Sequence, residues 1–356
     1  MRPVVTLGTF DGVHLGHQHV LKETARLANE LSAEAIVLTY LRHPFEVLCE
    51  NQEAEGTQLA TSNSAEDRVM FDNRRLPLQE GRLEIAPTDE RRLASPNSLR
   101  FGCPLLTEFA VREKLIKHAG IETIYYINFD INMSQKTALD FLENIIISMF
   151  NPQMIVVGYD THFGVNRSGN AEFLRSKAKL FDFEVVELNP VFCEDKIISS
   201  SLIRDMIKKG AVDIAARYLG YGYSIISEVV YGNQIGRTIG FPTINQQPLD
   251  EQKLIPDSGV YFTLTRFLKD NSLYFGATKI GVSPTIKTEN RIEIETNLFD
   301  FSEYVYGQTV ETIFIEKIRN EKKFNSIDEL TEQITIDTDM IKKMISTYDK
   351  THYIGV

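Results

Sequence analysis

Two histidines three residues apart, His14 and His17, end the string GTFDGVHLGH that begins at Gly8. The residues before it, RPVVTL (2–7), read as a short buried strand. Residues 16–31 read as an amphipathic helix with Val20, Leu21, Leu27, Ala28 and Leu31 on one face. A strand, a turn of small residues and a helix let a phosphate chain approach backbone N–H groups, and the N-terminal end of the helix favours the anion. Imidazoles at that place add donors that meet charge as it develops on phosphate oxygens. The pattern predicts a nucleoside-triphosphate site. It is not a Walker A loop, because no GK[ST] follows at the required spacing, and this argues against a P-loop kinase or ATPase. Histidines at a helix start are in isolation as readily caps or surface residues. The order strand, Gly-rich turn, H-x-G-H, helix is what carries the reading.

The elements around this string alternate. AIVLTY (35–40), IETIYYINF (121–129), MIVVGYD (154–160) and FEVVEL (183–188) read as strands. TALDFLENIIISMF (137–150) reads as a helix with Ala138, Leu142, Ile145, Ile146 and Met149 on its apolar side. Such alternation predicts a mostly parallel sheet flanked by helices, with ligands beyond the carboxyl ends of the strands. His14, His17 and Asp160 all follow predicted strands. Residues 50–104 are polar, without a sustained period, and read as a partly mobile surface insertion whose Arg74, Arg75, Arg91 and Arg92 belong to a solvated face. SLIRDMIKKGAVDIAARYLG (201–220) carries two short helical patterns separated by Gly210, with Leu202, Ile203 and Met206 on one and Val212, Ile214, Ala215 and Leu219 on the other.

Beyond residue 221 the apolar runs shorten and become rich in β-branched and aromatic residues: 223–231, 259–265, 274–282, 291–299 and 309–318. These predict an antiparallel Greek-key barrel. A terminal helix is expected over about 326–347, with Ile327, Leu330, Ile334, Ile341, Met344 and Ile345 on its apolar side. The chain has 356 residues, which suits two domains, and 43% hydrophobic residues, enough for ordinary cores. No apolar run reaches the roughly 18 residues of a membrane span, and no secretory signal is expected. Three cysteines (Cys49, Cys103, Cys193) without C-x-x-C spacing read as reduced thiols. The net charge of −11 argues against a general nucleic-acid binder. A cytoplasmic enzyme with small-molecule partners, no nucleic acid and no membrane is expected, and the oligomeric state is left open.

GxFDGxHxGH resembles the nucleotidyltransferase signature of the prokaryotic bifunctional riboflavin kinase/FAD synthetase family. VGYDTHFGVNRSG (157–169), ISSSLIR (198–204), GNQIGRTIGFPTIN (232–245), SGVYF (258–262), GVSPT (281–285) and IETNLFDFSEYVYG (294–307) are similar to that family's segments in the same order. The resemblance covers nearly the whole chain except about residues 49–105. It implies a Rossmann-like α/β domain over 1–205 that adenylylates FMN to FAD, linker helices over 206–220, and a six-stranded barrel with a terminal helix over 221–350 that phosphorylates riboflavin to FMN. Mg²⁺ is the implied cofactor, ATP the co-substrate, and riboflavin, FMN and FAD the flavin substrates and products.

The same resemblance implies the roles of individual residues. His14 and His17 would bind triphosphate oxygens, with Gly8, Phe10, Asp11, Gly12 and Gly16 forming the turn. Ser199, Ser200, Ser201 and Arg204 would hold the β- and γ-phosphates, although SSSxxR alone reads as a helix N-cap with a surface arginine. Asp130, Asp160 and Arg167 match or lie near family positions lining this cleft. In the barrel, Gly232, Gly236, Arg237, Gly240 and Pro242 would approach ATP. Thr243 and Asn245 would serve the phosphates and Mg²⁺ as oxygen ligands. Glu295 would accept the proton of the ribityl 5′-hydroxyl as it attacks the γ-phosphate. Arg319 matches an arginine near the flavin lid. In isolation PT-x-N reads as a turn leading into a strand, and Glu295 as an outward-facing strand charge. Four positions depart from the family pattern: Arg42 stands for Pro, Thr161 for Phe, Ser201 for Thr and Asn297 for a frequent His. With the insertion, Arg42 and Thr161 keep open a monofunctional riboflavin kinase with a degenerate N-terminal domain. A non-catalytic flavin sensor is the other alternative, and Glu295, Thr243 and Asn245 speak against it.

Overall fold

The computed structural model describes residues 1–41, 44, 104–232, 235–284, 290–346 and 348. Arg42, the four arginines of the expected insertion and all of that insertion but Pro104 lie outside the described residues, as do Cys49 and Cys103. In chain order the main elements are β1 (Val4–Leu7), α1 (Leu15–Glu30), β2 (Ala35–Tyr40), α2 (Phe109–His118), β3 (Thr123–Ile127) and a helix α3 from Ala138 to Phe150. Then come β4 (Met154–Gly158), α4 (Ala171–Phe181), β5 (Glu184–Leu188), the short pair β6 (Phe192–Cys193) and β7 (Lys196–Ile197), α5 (Ser200–Lys208) and α6 (Val212–Leu219). The last are β8 (Tyr223–Val230), β9 (Ile244–Pro248), β10 (Gly259–Phe267), β11 (Leu273–Pro284), β12 (Asn290–Leu298), β13 (Thr309–Arg319) and α7 (Ile327–Ile345). They fall into two compact units. The first takes in Met1–Thr9, Gly120–Asn189 and the described part of Val20–Cys103; the second takes in Phe10–His19, Pro104–Ala119 and the described part of Pro190–Val356.

The first unit is built on a parallel sheet of order β3-β2-β1-β4-β5. Both faces are covered, so the strands are near-continuous apolar runs rather than alternating ones. Val5, Leu7, Ile36, Leu38, Ile155 and Val157 pack with Phe141, Leu142, Ile145 and Ile146 of α3. Val4 and Val156 pack on the other face with Val20 and Ala28 of α1. The strand order reverses between β1 and β4, and Gly8 and Asp160 follow the carboxyl ends of those two strands.

Two expected core positions are corrected. Leu31 is exposed because α1 ends one residue before it, at Glu30. Met149 is also exposed, while Phe150 is buried. Residues Leu142–Ile147 of α3 are π-helical, and the wider turn advances the inward-facing position by one residue.

The second unit holds a closed antiparallel barrel in the order β10-β11-β12-β9-β8-β13, with α7 as its terminal helix. Its apolar clusters include Phe262, Leu264, Ile313 and Ile315 with Ile341 of α7, and Val229, Phe267 and Val310 elsewhere in the barrel. Ile327, expected on the apolar side of α7, is exposed because it opens the helix before its buried turns begin. A buried chain of polar side chains crosses five strands: Thr263 to Thr278 (2.7 Å), Thr278 to Thr296 (2.7 Å), Gln246 Nε2 to Thr296 (2.7 Å) and Thr312 to Gln246 Oε1 (2.8 Å). Strand β9 is not among the runs expected from apolar patterning, because INQQP buries Gln246 where a hydrophobic residue would announce a strand.

Candidate active sites

The histidine turn lies in the second unit. Asp11 is buried, and its carboxylate accepts from the backbone N–H groups of Leu106 (3.0 Å) and Thr107 (3.2 Å) and pairs with Arg204 Nη2. Gly12 N–H donates to Thr107 Oγ1 (3.1 Å), and Tyr221 Oη donates to the Gly12 carbonyl (2.6 Å). Gln18 Nε2 donates to the carbonyls of Val13 (2.9 Å) and Leu219 (2.8 Å). These bonds hold a strained backbone, in which Phe10 (φ 48°) and Val13 (φ 29°) adopt positive φ. That region is unfavourable for bulky or β-branched residues and persists only when the surroundings enforce it.

The turn presents His14 and His17 as stacked rings, with centroids 3.7 Å apart and planes 15° from parallel. His17 N–H donates to His14 Nδ1 (3.3 Å), which leaves the His14 proton on Nε2. Burial pushes the His14 imidazole down to about 4, against a weaker opposing pull from Asp11. Burial, with His14 and Arg204 nearby, holds His17 well below the usual imidazole range. Both rings are therefore neutral near pH 7. His17 Nδ1 has no hydrogen-bond partner among the described residues. Gly16 keeps the turn close to His14, because a Cβ there would lie 3.2 Å from its ring.

The serine cluster is divided. Ser199 caps α5 by accepting from Leu202 N–H (3.3 Å), and Ser200 Oγ donates to the Asp11 carbonyl (2.9 Å). Ser201 is exposed. The buried Arg204 also donates through Nε to the Pro104 carbonyl (2.8 Å). In the first unit, Asp160 and Arg167 form an exposed cluster with His162. Arg167 Nη2 lies 3.4 Å from the Asp160 carboxylate and 3.0 Å from His162 Nδ1. Asp130 caps a short helix by accepting from Met133 N–H (2.7 Å).

In the barrel, sheet register sets Glu295 directly opposite Asn245 on β9 and Lys279 on β11. Glu295 is half-buried, and this burial raises its carboxyl above the ordinary range, more than Lys279 lowers it. Gly232 is required by close approach, since a Cβ there would fall 2.1 Å from the Asn245 amide. A Cβ on Gly236 would fall 2.3 Å from the Phe241 carbonyl oxygen, and Gly240 has φ +83°. Asn297 Nδ2 donates to the Pro242 carbonyl (2.7 Å), just before Thr243. The side chain of Arg237 lies outside the described residues. Arg319 is held by Asp337 of α7, its Nε lying 2.9 Å and its Nη2 2.8 Å from Asp337 Oδ2.

Sequence reasoning missed Leu106, Thr107 and Tyr221, which hold the histidine turn. They carry no motif, because all three act through backbone N–H groups or hydroxyls that many sequences could supply. Among the described residues, no group of three His, Cys, Asp or Glu side chains could hold a metal ion. The neutral oxygens of Thr243 and Asn245 fit Mg²⁺ carried by a nucleotide, which retains waters and phosphate oxygens in its shell.

Comparison with known proteins follows the same division of the chain. The FAD synthetase family model matches residues 1–69 and 96–202, and the riboflavin kinase model matches 219–345. A bifunctional riboflavin kinase/FMN adenylyltransferase of Haemophilus influenzae is 32% identical over 96% of this chain and 94% of its own. One from Bacillus subtilis is 31% identical over 94% and 90%. A crystal structure described as a macrolide-efflux protein from Streptococcus pneumoniae superposes with a TM-score of 0.74 at 28% identity, covering 96% of this chain and 94% of that one. No helix among the described residues is long and apolar enough to cross a membrane. With such identity over nearly its full length, and both domain models matched in order, the chain belongs to the family of bifunctional riboflavin kinase/FMN adenylyltransferases.

Proposed function

We propose that this chain phosphorylates riboflavin to FMN in its barrel and adenylylates FMN to FAD at its histidine turn, using ATP for both steps. The observation that carries the reading is the pairing of opposite chemistries: neutral imidazoles stacked at a strained turn in one place, and a carboxyl raised by burial beside Asn245 in the other.

In the barrel, Glu295 takes the proton of the ribityl 5′-hydroxyl as that oxygen bonds to the γ-phosphorus and ADP leaves. Asn245 and Thr243 orient the phosphates, Gly232, Gly236 and Gly240 let the backbone close on them, and Arg319 stays on the rim against Asp337. Mg²⁺ carried with ATP would be held by Thr243 and Asn245, where it neutralises phosphate charge.

At the histidine turn, an FMN phosphate oxygen bonds to the α-phosphorus and pyrophosphate leaves. His14 and His17 donate to the oxygens on which charge accumulates. Ser201 meets the β- and γ-phosphates, and Arg204 adds its charge while holding Asp11. In the first unit, Gly8 and Asp160, which follow β1 and β4, and Arg167 beyond them keep the nucleotide-binding role that the family resemblance implies. We assign 1–205 to adenylyl transfer, 206–220 to the linker and 221–350 to phosphorylation, in a cytoplasmic enzyme.

The test is a time course of purified protein with riboflavin, excess ATP and Mg²⁺, with flavins separated by chromatography. FMN should appear first and FAD should follow. FMN that accumulates without FAD would reduce the activity to the kinase step, and no FMN at all would overturn the reading of Glu295.

A further inference from the structure

Among the buried ionisable groups, Lys253 and Glu108 take no part in either reaction described above. Lys253 lies in the connection between β9 and β10, in the part of the chain matched by the riboflavin kinase model. Glu108 precedes α2, in the part matched by the FAD synthetase model. Both belong to the second unit and both are buried. Lys253 Nζ donates to Glu108 Oε2 (2.9 Å) and to the Leu106 carbonyl (2.7 Å), and lies 4.4 Å from the centre of the Tyr223 ring. Glu108 Oε1 accepts from the backbone N–H of Ile226 in β8 (3.0 Å). The Leu105 N–H donates to the Gln252 carbonyl (2.8 Å), and the Leu254 N–H to the Leu105 carbonyl (2.9 Å). Residues 105–108 are thus pinned to the barrel on both sides of Lys253.

Two of these residues, Leu106 and Thr107, also hold the histidine turn. Leu106 and Thr107 offer their N–H groups to Asp11, and Thr107 Oγ1 accepts from Gly12. A strained backbone at Phe10 and Val13 relaxes unless its neighbours hold it. We infer that Lys253, with Glu108, is a positioning residue for adenylyl transfer: a side chain supplied by the kinase part of the chain sets the geometry of His14 and His17. This rests on the assignment of those histidines to adenylyl transfer. The polar chain runs from Lys253 to the Leu106 carbonyl, from the Leu106 and Thr107 N–H groups to Asp11, and from Asp11 through the turn to His14. The phosphorylating residues Thr243, Asn245 and Glu295 are not in it.

The full-length chain carries the test, as Lys253→Met and as the double variant Glu108→Gln, Lys253→Met. The double variant leaves no unpaired buried charge and keeps an acceptor for Ile226, so it retains the fold if the single variant does not. FAD formation from FMN and ATP, and FMN formation from riboflavin and ATP, are measured on the same preparation with melting temperatures. The kcat for FAD formation should fall about ten- to a hundredfold, the scale of a small misplacement of catalytic groups, while FMN formation is unchanged. Unchanged FAD formation in a chain that still makes FMN overturns the inference, as does a parallel fall of both activities with the melting temperature. His17→Ala is run alongside. If it abolishes FAD formation while the Lys253 variants leave it unchanged, the positioning role alone is wrong. If it spares FAD formation, the assignment of the histidines fails and the positioning role falls with it.

Discussion

The histidine turn and the barrel turn from Gly232 to Asn245 are the two Gly-rich turns to which we assign phosphate binding, and they are built in opposite ways. The first is buried and cross-tied, with Asp11, Gly12, Val13 and Ser200 all hydrogen-bonded and the backbone of Phe10 and Val13 under strain. The second is exposed at Gly240 and Pro242, and its base is fixed by strand register rather than by a web of side chains. The protonation shifts also run in opposite directions: imidazoles pushed down, a carboxyl pushed up. A site whose task is to stabilise charge on phosphate oxygens gains from donors fixed in a dry setting beforehand. A site whose task is to take one proton needs a base of adjusted affinity and room for the attacking hydroxyl.

The largest effect expected from this contrast is catalytic and reciprocal. Glu295→Gln should lower FMN formation by about 10²- to 10⁴-fold and leave conversion of supplied FMN to FAD intact, whereas His17→Ala should do the reverse. Equal damage to both reactions by either variant would show that the two regions do not divide the chemistry.

The second effect is on pH dependence, where the two regions should differ in sign. An unfolded imidazole binds a proton below about pH 6.5, while folded His14 does so only at about 4. The unfolded chain therefore holds more protons in that window. Stability should fall as pH drops from about 6.5 to about 4, by roughly 3 kcal/mol from this group alone. Glu295 acts the other way: its folded carboxyl keeps a proton that the unfolded one has lost, so its contribution declines as pH rises through the raised value. Melting temperatures of the parent and His14→Gln across pH 4–7 check the first effect; an unchanged slope in the variant would refute it. The acid limb of FMN formation checks the second and should lie above the ordinary carboxylate range.

The smallest effect compares two glycines of equal φ. Gly12 and Gly240 both have φ +83°, yet a Cβ on Gly12 would lie 2.8 Å from Leu106 Cδ1, while one on Gly240 meets nothing within 4 Å. Gly240→Ala should cost about 1–2 kcal/mol from backbone strain alone. Gly12→Ala should cost about 1–3 kcal/mol more from crowding and should slow FAD formation as well. Denaturant midpoints measure both, and equal costs would mean that the histidine turn is looser than its contacts imply.

Much of this was legible in the sequence because the relevant signals are local. The parallel sheet follows from apolar runs such as AIVLTY, the barrel from short β-branched strands, and the candidate residues from motif strings. What escaped depends on distant partners or on a shift of phase. Nothing in SSSLIR says that Ser200 is spent on the Asp11 carbonyl, or that Arg204 is buried against Asp11. Nothing in LENIII announces a π-helical turn, although that turn is what moves Phe150 inward in place of Met149. Nothing in LDEQKLIP (249–256) marks Lys253 for burial, because its partner lies 145 residues away in sequence.

The polar chain inside the barrel has a direction. The hydroxyl of Thr312 donates to Gln246 Oε1 and Gln246 Nε2 to Thr296; because Thr263 spends its one proton on the Gly276 carbonyl, Thr278 must donate to Thr263 and Thr296 to Thr278. The last hydroxyl ends on the Gly276 carbonyl at 3.3 Å. The amide at one end and the Gly276 carbonyl at the other thus align five donors in series. Valine at any of the threonines would interrupt the series and strand a buried oxygen, whereas an apolar replacement of the whole set would not. Across relatives of this barrel, these positions should consequently drift together or not at all.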